Sequence, residues 1–403
     1  MVLFFGCIWL YDTWIGIREL SILKNATMPP IYTDFLLPRG FTAQVEEKTT
    51  KVMSQILANT LLCFISTAML IQHIPGKLWH WLGTKLGRCQ LLHSISFVGA
   101  MWFLAELSIL LVSAVCNSIF ETEVLFPDFL NLILLVLCTL SIFNLHCFTQ
   151  MHLPLALFVC ITTAILGTNL LRPFLPKLLP WFYTPLAANT MLAQTLSESG
   201  FDLSKIFLIL NSEKANAHTD GHNIFIHHGL LTHFNNEVVM AAVAHEFGHA
   251  FLSHCWIQGI LVITFVMAFL LVLHFVMKKS EEILTSFGFF EKSKKLLPET
   301  SNERLKEKPS PIVPLIFITS LLSLPLIKTF LLIYRLRQHY QEFQADAWAV
   351  KNYPIGVSLI ELLVRLHALG DALPSDPIYT LSNESHPNAI QRINAIYNLI
   401  RAK

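Results

Sequence analysis

The segment HEFGH places two histidines, His245 and His249, four residues apart. Positions i and i+4 share one face of a helix, so both imidazoles can present a ring nitrogen to one metal ion. Glu246 is one position round the same helix, where a carboxylate can act as general base. This spacing is typical of zinc-dependent peptide hydrolysis. The alternative is a buried helix in which two histidines fall together by chance.

The residues around HEFGH favour a buried helix. Asn235 or Asn236 can cap its amino terminus, and Glu237 stands in the first turn, where an acidic side chain is stabilising. Apolar residues recur at helical spacing, at Val239, Met240, Val243, Phe247 and Phe251. The sequence therefore predicts a helix that can hold the two histidines and Glu246 in a fixed geometry.

A catalytic zinc ion takes three protein ligands, and Glu342 in the segment EFQAD is our choice for the third. Asp346 follows one turn later, where it can accept a hydrogen bond from a ligand histidine. Two predicted membrane spans lie between HEFGH and Glu342, so both segments are expected on the same side of the membrane. The alternative is that Glu342 merely begins a solvated helix.

The composition is that of a membrane protein: 54% of the 403 residues are apolar and only 14% are charged. Six apolar runs are long enough to cross a bilayer: Val52–Gln72, Leu91–Cys116, Phe129–Phe148, Met151–Leu171, Trp256–Met277 and Ile312–Tyr334. The shorter run Val2–Ile17 lacks the features of a cleaved signal peptide and is taken as a first span. We therefore expect about seven spans and contact with the lipid bilayer.

The fold class predicted is mainly α and integral to the membrane, with a small α+β catalytic segment. Four segments are expected: 1–171 with about five spans, 172–254 with the HEFGH helix, 255–334 with two spans, and 335–403 with Glu342. Within the second segment, Lys205–Leu210 and Asn223–His228 are candidate strands. The turn-rich stretch between them predicts that they form a hairpin.

Several other functions have no support in the composition. The net charge is +1 with no basic patch, which argues against a nucleic-acid partner. The eight cysteines contain no C-x-x-C pair and are expected to pack in apolar surroundings. Six further histidines near HEFGH are not expected to bind the metal. A metzincin would have Gly at position 252 and its third ligand His at position 255, where this chain has Leu252 and Cys255. These six histidines are expected at the surface or in the hairpin. These are His218, His222, His227, His228, His233 and His254.

An ordered series of motifs resembles the type I CaaX prenyl proteases, which are membrane zinc metallopeptidases. The series covers most of the chain: Trp14 with Arg18, Gly200–Ile206, the N-A-x-x-x-G pattern of Asn216, Ala217 and Gly221, NNEVV before HEFGH, Phe287–Phe289, EFQAD, and Ser385-His386-Pro387 with Arg392. Its recurrence in order is more specific than the HEFGH segment alone.

The resemblance implies about seven helices around a water-filled chamber, one Zn²⁺ inside it, and a peptide bound against an edge strand. We expect the peptide to lie extended along Asn223–His228, held by backbone hydrogen bonds. The resemblance implies that His245, His249 and Glu342 bind the metal, that Glu246 is the base, and that Asp346 lies behind the ligands. It also implies that Asn216, with Ala217 beside it, holds substrate backbone, and that His386 stabilises the oxyanion with support from Arg392. The family usually has Arg three residues before the ligand Glu, and here that residue is His339.

The sequence thus predicts a membrane zinc metalloendopeptidase whose partner is a peptide or protein substrate, by resemblance a prenylated CaaX terminus cut to release its last three residues. One alternative is an HtpX-like quality-control protease with no need for a prenyl group. Another is a channel or transporter whose histidines only bind metal, and a third is an inactive scaffold. The endoplasmic reticulum membrane and a bacterial inner membrane are both consistent with the sequence.

Overall fold

The structure, a computed structural model, describes residues 2–30, 38–86, 90–120, 161–163, 166–167, 170–187, 190–210, 212–289, 312–368 and 373–402. Its chain contacts form two compact units. The first contains Met1–Gly16, Thr50–Ile161 and Phe265–Lys328, and the second contains Ile17–Thr49, Thr162–Thr264 and Thr329–Lys403. The division into four segments remains a prediction.

The described part of the chain is mainly helical. In chain order the helices are α1 Val2–Lys24, α2 Pro38–Ile71, α3 Ile74–Leu86, α4 Gln90–Phe120, α5 Leu175–Leu178, α6 Met191–Glu198, α7 His228–His233, α8 Asn236–Phe251, α9 His254–Lys278, α10 Ser280–Ser286, α11 Ile312–Leu322, α12 Leu324–Asn352, α13 Gly356–Ala368, α14 Pro377–Asn383 and α15 Ala389–Arg401. Four short strands are β1 Thr184–Pro185, β2 Ile206–Ile209, β3 Ala217–Thr219 and β4 Ile224–His227. The predicted mixture of long helices and a small α+β part is confirmed.

Three described helices are long and apolar enough to cross a membrane, over Gly40–Ile71, Leu92–Cys116 and His254–Lys278. The last predicted span is broken at Ser323, where α11 and α12 meet at a bend of 55°. The predicted span Phe129–Phe148 and most of Met151–Leu171 lie outside the described residues. The run Val2–Ile17 belongs to a helix that continues to Lys24. The total of seven spans and the chamber remain predictions.

Aromatic side chains form the core of the first unit. Trp79, Phe97 and Phe289 are nearly inaccessible to solvent, and their rings pack edge to face. Gly288 precedes Phe289 with φ of +76°, a conformation that glycine adopts at little cost. Helix α10 lies just before this glycine in the chain, between α9 and the Phe-Gly-Phe motif. The Phe-Gly-Phe motif therefore has a packing role in this unit.

The second unit contains a four-stranded sheet in the order β1-β2-β4-β3. The predicted hairpin of β2 with β4 is wrong, because these strands pair in parallel, with Ile206 opposite Ile224. The chain instead runs back along β3, which pairs antiparallel with β4. The turn between β3 and β4 is closed by Asp220, whose Oδ1 accepts from the backbone N–H groups of His222 and Asn223. The hairpin is therefore formed by β3 and β4, and not by β2 and β4 as expected.

This topology determines which strands lie at the edges of the sheet. β4 is paired on both sides, so its backbone hydrogen-bonding groups are engaged with β2 and β3. The expectation that a peptide would pair along Asn223–His228 is therefore wrong. β1 and β3 are the two terminal strands of the sheet, and among the described residues no strand pairs with the outer side of β3, the edge strand that packs against α8.

Candidate active site

Helix α8 carries HEFGH and is held on several sides. Its amino terminus is capped by Asn235, whose side chain accepts a hydrogen bond of 3.0 Å from the backbone N–H of Val238. Residues on both the sheet side and the α13 side of the helix are buried: Val238, Val239, Ala241, Ala242, Val243 and Ala244. Because α8 is packed in this way, its histidines have little freedom to move apart.

Gly248 lets α8 approach α12 closely. A Cβ atom at this position would lie 3.0 Å from the carbonyl oxygen of Ala345 and 3.1 Å from its Cα atom. Both neighbours are backbone atoms and cannot move aside as a flexible side chain would. The glycine of HEFGH thus allows the helix that bears His245 and His249 to pack against the helix that bears Glu342.

The three predicted metal ligands converge. Nε2 of His249 lies 3.1 Å from Nε2 of His245, and the Glu342 oxygens lie 3.3 Å from His249 Nε2 and 3.5 Å from His245 Nε2. One ligand atom from each residue falls within 4.8 Å of the others. This is a group that can hold a single metal ion.

The donor set fits a zinc ion. Two imidazoles and one carboxylate are a common catalytic zinc set that leaves a position open. Glu342 Oε2 is buried and accepts no hydrogen bond in the described structure, although the Arg392 guanidinium lies 2.8 Å away. The close guanidinium indicates an ion pair without hydrogen-bond alignment, so this oxygen keeps a lone pair that a metal ion can use.

Asp346 and Arg392 stand behind the ligands. Asp346 Oδ1 lies 2.9 Å from Nδ1 of His245, and Arg392 donates to both Asp346 oxygens at 2.7 and 2.8 Å. Burial alone lowers the pKa of His245, but interactions with the neighbouring carboxylates of Asp346 and Glu342 outweigh it and raise the pKa to about 10. A carboxylate behind a ligand imidazole fixes its orientation and increases its basicity. Arg392 thus contacts the carboxylates of the metal group.

His254 is a residue that the sequence reasoning missed. It was expected at the surface, yet it is 2% exposed, and its Nδ1 lies 2.8 Å from Nδ1 of His249. One of these two nitrogens carries the shared proton, which leaves Nε2 of His249 facing the metal group. A turn at Ser253, with φ of +55°, brings His254 back towards the preceding helix. No spacing rule for ligands would have found this contact.

Glu246 lies beside the ligands on α8, and burial raises the pKa of its carboxyl group. A carboxylate with a raised pKa accepts a proton more readily near neutral pH. The position of Glu246 next to His245 on α8 and its buried environment therefore suit a general base.

The loop that carries His386 is anchored at both ends. Before it, Nε2 of His339 donates a hydrogen bond of 3.1 Å to the carbonyl oxygen of Glu384. After it, the Asn388 amide donates to the carbonyl oxygen of Leu373 at 3.0 Å. His339 stands where the resemblance leads us to expect Arg. In this chain it holds the backbone at Glu384, two residues before His386.

His386 reaches the metal group from this loop. Its Nδ1 lies 3.2 Å from Glu342 Oε1, while 62% of its side chain remains accessible to solvent. An imidazole that is both exposed and next to the ligands can meet a substrate. His386 is therefore well placed to donate a hydrogen bond to an oxyanion.

We expect His386→Ala to lower kcat more than it raises KM. An oxyanion donor acts mainly in the transition state, and losing one costs roughly 10²–10³-fold. Steady-state kinetics of peptide cleavage measure both constants, with His233→Ala as a control at a histidine on α7 in the same unit. A change in KM alone would show that His386 binds substrate or supports the fold.

Asn216 and Ala217 lie at the start of the free-edge strand. Ala217 is the first residue of β3, and the carbonyl oxygen of Asn216 accepts from the N–H of His227 at 3.0 Å. β3 in turn packs against α8. The edge strand is thus braced against the helix that carries HEFGH.

Comparison with known proteins agrees with this site. The sequence model of Peptidase family M48 matches residues 188–400, which include His245, His249, Glu342 and His386. The chain belongs to this family. It is therefore a metallopeptidase, and the His245, His249 and Glu342 group is of the kind that holds metal in zinc M48 peptidases.

M48 relatives match nearly the whole chain. A CAAX prenyl protease 1 homolog from Dictyostelium discoideum is 26% identical over 96% of this chain and 93% of its own length. A homolog of the same name from Arabidopsis thaliana is 24% identical over 96% of this chain and 94% of its own length. The crystal structure of Ste24p from S. mikatae superposes with a TM-score of 0.73 at 20% identity, covering 98% of this chain and 97% of that one. The fold is shared, and the chain is a multi-pass integral membrane protein.

Proposed function

We propose that this M48 peptidase is a membrane zinc metalloendopeptidase that removes the last three residues of prenylated CaaX termini. The observation that carries the proposal is the convergence of His245, His249 and Glu342 next to a sheet with a free edge. The substrate class rests on the relatives, which are named CAAX prenyl protease 1 homologs and match this chain over nearly its full length.

One Zn²⁺ per chain is proposed at His245, His249 and Glu342. When bound, the ion supplies Lewis acidity and makes a water molecule easier to deprotonate. Asp346 and His254 orient the two ligand imidazoles through their Nδ1 atoms. The buried guanidinium of Arg392 keeps the two carboxylates of the site ionised and in place.

Glu246 and His386 carry the proton and charge steps. Glu246 takes the proton from the attacking water and delivers it to the leaving amine. His386 donates a hydrogen bond to the oxyanion that develops on the scissile carbonyl. These roles require both side chains near the reacting carbonyl, and each lies beside a residue of the metal group.

The substrate is proposed to add to the outer edge of β3 as an extended strand. Backbone hydrogen bonds of this kind give affinity without requiring particular side chains. Asn216, at the start of the edge, is exposed and can contact the peptide backbone. This proposal moves the peptide from β4, which is paired on both sides, to the edge strand β3.

We expect a farnesylated CaaX peptide to be cleaved with a much higher kcat/KM than its unmodified twin. Burial of isoprenoid surface stabilises binding by roughly 25 cal/mol per Å², which amounts to several kcal/mol with no contact to a particular side chain. The two peptides are placed in competition with purified protein, at a detergent level that does not mask the prenyl group. Equal cleavage would contradict the prenyl preference and favour an HtpX-like quality-control protease.

A further inference from the structure

Two histidines outside the active site face each other on the sheet. His218 on β3 stands directly opposite Phe225 of β4, and their rings stack with centroids 5.0 Å apart. Side chains alternate along a strand, so His227, two residues after Phe225, lies on the same face. This face is opposite to that of Ile224 and Ile226, which belong to the hydrophobic core. The two imidazoles therefore meet on the face of the sheet that points away from the core containing Ile224 and Ile226.

The ring nitrogens of this pair point at each other. Nε2 of His227 lies 3.2 Å from Nδ1 of His218. The other nitrogen of His227, Nδ1, lies 2.8 Å from the hydroxyl oxygen of Ser212. When Nδ1 donates its proton to that hydroxyl, Nε2 keeps its lone pair towards His218. In metal sites, a hydrogen-bond partner on the ring nitrogen that does not bind the metal fixes the orientation of the histidine, and Ser212 is such a partner for His227.

The neutral form of both rings supplies these lone pairs. Burial lowers the pKa of His218, and the neighbouring His227 lowers it further. Burial also lowers the pKa of His227. Metal ions bind an unprotonated ring nitrogen. A neutral imidazole already has one such nitrogen, so it can bind a metal ion without first releasing a proton.

The separation of the two nitrogens suits a shared metal ion. With metal–nitrogen bonds of about 2.0–2.1 Å, 3.2 Å between the nitrogens gives an angle at the ion of roughly 100°, close to tetrahedral. The active-site nitrogens of His245 and His249 are 3.1 Å apart, nearly the same distance. A direct hydrogen bond between the two rings would give the same distance. The experiment below distinguishes this hydrogen bond from metal binding.

We propose that His218 and His227 form a second metal site, which binds a divalent transition-metal ion such as Zn²⁺, Ni²⁺ or Cu²⁺. Imidazole ligands prefer these ions. Two protein ligands leave the remaining positions to water, so the site binds more weakly than the three-ligand group. Because the ligands come from adjacent strands, the ion ties the edge strand β3 to β4.

The test is the stoichiometry of zinc on the full-length protein in detergent. Samples are dialysed against a series of buffered free-zinc concentrations, and bound zinc is measured by elemental analysis. We expect the wild-type protein to bind one ion tightly and a second ion more weakly. His218→Ala and His227→Ala should each retain the tight ion and lose the weak one, while the control His222→Ala, in the adjoining turn, should retain both.

Ser212→Ala provides a milder variant that leaves both ligands in place. Loss of the hydroxyl partner should weaken the second site by roughly 10–100-fold without changing the first. A wild-type protein that binds only one ion across the series would overturn the proposal and leave a plain hydrogen bond between the rings. Retention of the weak ion by both His218→Ala and His227→Ala would overturn it equally. Neither outcome bears on peptide cleavage, so the proposed function is tested separately.

Discussion

Glu246→Gln is expected to lower kcat by about 10²–10⁴-fold while the protein keeps its metal. The amide is almost the same size as the carboxylate, so α8 and its packing should be preserved. The amide cannot accept the proton of the attacking water, and it has none to deliver to the leaving amine. The loss therefore concerns the proton steps and not the binding of substrate.

The measurement combines single-turnover cleavage of a peptide with zinc analysis of the same preparation. Glu237→Gln is a matched control, because this residue lies exposed in the first turn of the same helix. The control should keep wild-type activity. Near-normal turnover by Glu246→Gln would mean that another group activates the water, and loss of zinc would mean that Glu246 supports the metal group.

Glu342→Ala is expected to reduce zinc affinity by more than roughly 10–100-fold. A loss of roughly 10–100-fold is typical when a residue that hydrogen-bonds to a metal ligand is removed, and Glu342 is itself proposed as a ligand. The substitution removes one of three ligands and also leaves the buried Arg392 with one carboxylate fewer. Cleavage should fall with the metal content. Zinc retained at wild-type affinity would remove Glu342 from the site.

Two further variants separate metal loss from damage to the fold. Glu342→Gln keeps the volume of the side chain and still offers an oxygen to Arg392, so the helix packing should survive while the metal affinity falls. Glu361→Gln alters a partly exposed ion pair with Arg365 on α13 and should change neither property. Thermal unfolding of each variant, measured alongside zinc content, shows which effect dominates.

The sequence predicts the metal group well because helical spacing constrains it. His245 and His249 share a face by the geometry of the helix alone. The same geometry places Asp346 one turn after Glu342, and both side chains face α8 in the structure. The pairing of the two helices is less obvious, and the close contact at Gly248 shows how it is achieved.

Strand order could not be predicted from strand propensity. The segments of β2 and β4 are both apolar, and a turn-rich stretch separates them, so a hairpin was the simplest expectation. The short strand β3 is hidden in that stretch, because its three residues, Ala217 to Thr219, are too few to show an alternating pattern. The Asp220-Gly221 pair is a strong hairpin signal that points to the turn actually used.

Contacts formed across long sequence separations also escaped the sequence reasoning. His254 binds His249 because of a sharp turn at Ser253, and His339 binds the carbonyl oxygen of Glu384 across 45 positions. Neither contact follows a period of a helix or a strand. Such contacts depend on tertiary packing, which a single sequence does not specify through local patterns.

The most direct test of the proposed function is to identify the products from a farnesylated CaaX peptide by mass spectrometry. Purified protein should cut once, after the prenylated cysteine, and release the last three residues as an intact tripeptide. A chelator should stop the reaction, and added zinc should restore it. Cleavage at other positions, or the same cleavage after complete removal of metal, would contradict the proposal that this is a zinc-dependent CaaX endopeptidase.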